Sequence, residues 1–110
     1  MARGEYLGEL EQIVLLAIAR LEGDAYGMSI RREIESRTGR SVAIGAVYST
    51  LERLQDKGFT EIVRPRGNVD RDGRARKFFA ITRAGVGALD DAAAMQTRMW
   101  AGLRLRKGKS

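Results

Sequence analysis

Six cations fall between residues 64 and 77, Arg64, Arg66, Arg71, Arg74, Arg76 and Lys77, and only Asp70 and Asp72 oppose them. A second run, Arg98, Arg104, Arg106, Lys107 and Lys109, contains no acid at all. Guanidinium and ammonium groups at this density attract phosphate polyanions. Taken singly, either run also fits an ordinary solvated loop or tail. Elsewhere the chain is not basic: residues 1–63 carry a net −2 and residues 78–97 a net −1, so the excess behind the net +6 of the 110-residue sequence comes entirely from the two runs, +4 and +5.

Other chemistry is excluded by what is missing. The sequence has no histidine and no cysteine, which removes thiolate nucleophiles, imidazole bases and Cys/His zinc sites. Asp90 and Asp91 are neighbours on an expected helix, so their side chains point about 100° apart and do not converge on one substrate. No enzyme activity, metal or cofactor is expected. Without histidine, any switch near neutral pH has to be a ligand or a partner.

The elements that must position these charges follow from periodicity. Leu7, Leu10, Ile13, Val14, Ala17, Ile18 and Leu21 recur at three and four residues and predict a helix over about Gly8 to Leu21. Leu15 and Leu16 lie off that stripe, on a second apolar face suited to a partner subunit. Tyr26, Ile30 and Ile34 predict a second helix over Ala25 to Arg37, stopped at Thr38-Gly39. Ile44, Val47, Tyr48, Leu51 and Leu54 predict a third, ending at Lys57-Gly58.

Phe59 to Arg66 and Arg76 to Thr82 read as the two strands of a hairpin with a charged tip. Thr82 then caps a last helix over about Arg83 to Arg104, some 33 Å at 1.5 Å per residue, which is longer than so small a domain needs. It is expected to pack on a second copy.

The longest apolar run, Ile13 to Ala19, is far short of the roughly 20 residues of a membrane span, and Glu5, Glu9 and Glu11 ahead of it do not suit a signal peptide. A soluble, cytoplasmic protein is expected.

Three helices followed by a hairpin is the order of a winged helix-turn-helix, in which the third helix enters the DNA major groove. Opposite its apolar stripe that helix is expected to present Gly45, Ala46, Ser49, Thr50 and Arg53. Small residues at the start permit close approach, and Ser49, Thr50 and Arg53 can bond to base edges or phosphates. An ordinary polar surface helix is the alternative, made less attractive by the arginine-rich hairpin beside it.

Four segments are then shared with a known family. Tyr26-Gly27, the run Gly45-Ala46-Val47-Tyr48-Ser49-Thr50-Leu51-Glu52-Arg53-Leu54, Lys57-Gly58, and Gly73-Arg74-Ala75-Arg76-Lys77-Phe78-Phe79-Ala80-Ile81-Thr82-Arg83-Ala84-Gly85 resemble the PadR family of bacterial transcriptional regulators. The resemblance implies a homodimeric winged helix-turn-helix repressor whose first and last helices build the dimer, bound to a palindromic double-stranded DNA operator and in some members released by small aromatic molecules. By position it implies that Tyr48 supports the third helix and can reach a phosphate, that Arg53 is a basic contact, and that Gly73, Arg74, Arg76 and Lys77 belong to the wing. The chain departs from many relatives at Ala43, Ser49 and Phe78-Phe79, where those have Ser, Pro and Tyr-Tyr.

The expected fold class is thus α+β, mostly α: a winged helix-turn-helix at 1–82 and, within one structural unit, a C-terminal dimerisation helix with a basic tail at 83–110. The expected DNA-binding residues are Gly45, Ala46, Tyr48, Ser49, Thr50, Arg53, Arg66, Arg74, Arg76 and Lys77. Leu15, Met95, Gln96, Met99, Trp100 and Leu103 are the candidates for the dimer interface or an effector site, since Met and Trp suit both interface packing and planar ligands. The competing reading is a winged helix retained as a protein-interaction module.

Overall fold

The computed structural model describes residues 6–64 and 76–105. In chain order the elements are α1 (Glu9–Leu21), α2 (Gly27–Thr38), α3 (Ile44–Asp56), β1 (Thr60–Val63), β2 (Phe78–Ile81) and α4 (Arg83–Trp100). The fold is mostly helical α+β with one two-stranded antiparallel sheet, as the periodicity predicts. Thr60 pairs with Ile81 and Val63 with Phe78, which carries the chain out towards residues 65–75 and back.

The core lies where α1, α2 and α3 cross and the base of the hairpin closes over them. Val14, Leu15 and Ile18 of α1 meet Ile30 and Ile34 of α2, Val47, Leu51 and Leu54 of α3, and Phe59 and Phe79 at the hairpin root. Each large apolar side chain so enclosed contributes about 1.5–3 kcal/mol. The expected second face of α1 is corrected here. Leu15 is 0% exposed inside its own subunit, and only Leu16 faces outward. The buried stripe is Glu11, Val14, Leu15 and Ile18 at three- and four-residue spacing, so the helix is turned to bring a carboxylate inside.

Backbone bonds fix the hairpin to the helices. The Phe79 N–H donates to Ala25 O at 2.8 Å and the Thr82 N–H to Phe59 O at 3.0 Å. The Tyr26 ring meets Phe78 edge-on with centroids 5.3 Å apart. Thr82 caps α4 as expected, its Oγ1 accepting from the Gly85 N–H at 3.0 Å and donating to Gly58 O at 2.7 Å. Gly85 sits against the Phe59 carbonyl so closely that an added β-carbon would collide with it.

Helix α4 is shorter than expected. It ends at Trp100, Ala101 leaves the helical region, and Gly102 takes φ +75°, a left-handed conformation suited to glycine. Leu103, expected on the helix, lies beyond it. Among the described residues no helix is long and apolar enough to cross a membrane.

Candidate nucleic-acid interface

The N-terminus of α2, the middle of α3 and the root of the wing converge on one open recess of about 340 Å³ lined by Tyr26, Gly27, Met28, Arg32, Tyr48, Arg76 and Lys77. Gly27 and Met28 belong to the first helical turn, whose amides have no intrahelical carbonyl and carry the positive end of the helix dipole. Arg32 Nη2 donates to the Tyr26 hydroxyl at 2.9 Å. The Arg76 guanidinium lies over the Tyr26 ring at 4.3 Å, a cation–π arrangement that holds the charge at the mouth of the recess. Tyr48 packs against Gly27 and is 53% exposed. It is a wall of the recess rather than a member of the core stripe.

Three cations, Arg32, Arg76 and Lys77, and two phenol hydroxyls thus meet open helix amides, an arrangement suited to a phosphate. Of its members, sequence reasoning singled out Tyr48, Arg76 and Lys77. It missed Tyr26, Gly27 and Arg32 as site residues. The available signal was a Tyr-Gly pair at a helix start with an arginine, Arg32, four residues after Met28.

On α3, Gly45 and Ser49 are exposed and Ala46 is half-buried. A β-carbon at Gly45 would meet nothing within 4 Å, so the start of the helix is open to close approach. Ala43 makes no side-chain cap, and its carbonyl accepts from the Ala46 and Val47 N–H groups at 3.0 and 3.2 Å.

Thr50 is corrected. It is 0% exposed, because it falls three residues after Val47 and four before Leu54, on the core stripe itself. Its hydroxyl accepts from Arg53 Nη2 at 3.2 Å.

Arg53 is drawn the same way. Its Nε lies 3.6 Å from Glu11 Oε2, while Lys57 Nζ donates to both Glu11 oxygens at 3.0 Å. Burial pushes the Glu11 carboxyl up, but the Gly8 N–H, Lys57 and Arg53 outweigh it and hold it below the ordinary value of 4.5. The Gly8 N–H donates to Glu11 Oε1 at 2.7 Å, so one carboxylate caps α1 and ties it to the C-terminal half of α3. Arg66 and Arg74, with Gly73 and the rest of the expected wing tip, lie outside the described residues, as do Arg106, Lys107 and Lys109.

The second candidate cluster is divided. Met95 and Gln96 line a cleft of about 810 Å³ between α4 and the segment Tyr6, Leu7 and Gln12. Met99 and Trp100 project beyond that cleft and are 74% and 54% exposed, Leu103 follows the helix, and Leu15 is in the core. Of α4 only Gly85 is buried, so its outer half is an apolar surface without a cover in the single chain.

Residues 14–91 match the model of the transcriptional regulator PadR-like family. A curated relative from Lysinibacillus sphaericus, itself named only as an uncharacterized protein, is 36% identical over 94 residues, spanning 83% of this chain and 82% of the relative. The crystal structure of a PadR-like transcriptional regulator from Bacillus cereus superposes with a TM-score of 0.60 at 22% identity, over 86% of this chain and 93% of that one. A winged-helix DNA-binding protein from STIV gives 0.67 at 15% identity, over 91% and 100%. The fold is therefore that of winged-helix proteins.

Proposed function

The chain belongs to the PadR-like family of transcriptional regulators, which are DNA-binding proteins and not enzymes, and from that premise we propose that it is a repressor binding a palindromic operator as a homodimer. The observation that carries this reading is the recess at the α2 N-terminus, where Tyr48 of the third helix and Arg76 and Lys77 of the wing meet open amides. A phosphate seated there would hold the start of α3 against the major groove, with Gly45 and Ser49 facing the bases. The wing residues Arg66 and Arg74 would extend the backbone contacts.

The exposed apolar half of α4, with Met99 and Trp100, supports association of two copies. Two reading heads on a two-fold axis match two half-sites about 34–36 Å apart. The cleft lined by Met95 and Gln96 is the place for a small aromatic effector that would release the DNA. Footprinting on the DNA upstream of the protein's own coding sequence, with and without a panel of planar aromatics, tests the reading. A protected inverted repeat supports it, and binding that is uniform along the fragment overturns it.

A further inference from the structure

The outermost line of α3 is Gly45, Ser49, Glu52 and Asp56, spaced four, three and four residues apart and all exposed. It stands directly opposite Val47, Leu51 and Leu54 in the core. The two large side chains expected to read DNA, Tyr48 and Arg53, are on its flanks: Tyr48 against Gly27 on one side, Arg53 drawn to Glu11 and Thr50 on the other. Gly45 and Ser49 are small. The first long side chain to reach past the helix on the groove-facing line is Glu52.

Among the described residues Glu52 has no ion pair and no hydrogen bond. An unneutralised carboxylate on a surface that approaches a polyanion weakens binding everywhere except where a donor meets it. An ionised carboxylate only accepts. In the major groove the base-edge donors are the exocyclic amines of cytosine and adenine, and adenine places its N7 acceptor beside that amine, where it repels a carboxylate.

We infer that Glu52 is a specificity-determining residue, which accepts from the N4 amine of a cytosine in each operator half-site and rejects the other bases at that position. The inference rests on the reading of α3 as the DNA-reading helix and adds what that helix selects. Arg53 acts beside it as a flanking contact, held in place by Glu11.

Selection of duplex DNA from a randomised library by the full-length chain, followed by anisotropy titrations with each base pair at each position, tests this. The wild-type chain is expected to prefer cytosine at one position per half-site by about tenfold. Glu52→Ala should flatten that position alone and bind random DNA more tightly. Glu52→Gln should move the preference to adenine, whose N6 and N7 a glutamine matches. Identical base preferences in wild type and both variants would overturn the inference and leave operator binding standing. A wild-type chain that selects no sequence would overturn both together. Because Glu52 is exposed and unpaired, circular dichroism of both variants should match wild type.

Discussion

The ring of Tyr48 lies against the backbone of Gly27, so that a β-carbon added to the glycine would stand 2.5 Å from Cζ and from the hydroxyl. This contact sets the third helix against the start of the second and keeps the Tyr48 hydroxyl beside the open amides of α2. Gly27→Ala should rotate the tyrosine out of the recess. Because that ring is half-exposed, unfolding in urea should change by less than about 1 kcal/mol, while operator affinity falls about tenfold. A large loss of stability with unchanged affinity per folded molecule would contradict this assignment.

Arg76 and Lys77 should act on DNA through charge alone. Replacing either with alanine removes one phosphate contact per protomer, so in a dimer the slope of log K against log salt should fall in magnitude by about two. Base preferences should not move. Titrations between low and moderate salt on operator and random duplexes measure both.

The Glu11 carboxylate gives the fold an acid limit. Its folded-state pKa is depressed below the ordinary 4.5, so the unfolded chain takes up a proton first as the pH falls. The stabilisation is complete above about pH 5–6 and is lost as the pH drops through the depressed folded value. Glu11→Gln should cost about 2 kcal/mol at pH 7, with the gap to wild type closing in acid. Urea unfolding at a series of pH values reads this directly.

Trp100 should anchor the pairing of two chains. Trp100→Ser is expected to weaken the dimer at least about thirtyfold, as loss of a buried aromatic anchor does, seen as a concentration-dependent mass by light scattering. Binding to a single half-site should be spared relative to the full operator. The same dimer constant in the variant would place the interface elsewhere.

Helix order, the hairpin and the Thr82 cap were legible in the sequence because each depends on neighbours within a few residues. What escaped depended on distant partners. Glu11 looks like a surface acid until Lys57, 46 residues on, neutralises it, and Leu15, four residues after Glu11, is buried on the same face of α1. A polar hydroxyl suggests the outer face for Thr50, whereas its spacing from Val47 and Leu54 places it inside. Its burial is satisfied by Arg53, which thereby leaves the outermost line of α3 to Glu52. The recess at the α2 N-terminus is likewise assembled from three elements far apart in the chain, and of its members only Tyr48, Arg76 and Lys77 are singled out as site residues by the sequence.

The near absence of burial along α4 has a mechanical consequence. Its first two turns hold it to its own domain: Gly85 presses on the Phe59 carbonyl, Thr82 bridges to Gly58, and Ala88 and Leu89 pack against the core. From there Asp90 to Trp100 extend about 16 Å further. In the proposed dimer the outer helix is a lever, and a swing of about 10° at its base carries its far end about 3 Å, close to the roughly 3.4 Å rise of one base pair. The spacing between half-sites that such a dimer tolerates is then governed by the stiffness of the packing at Gly85, Ala88 and Leu89, far from the residues proposed to face the bases.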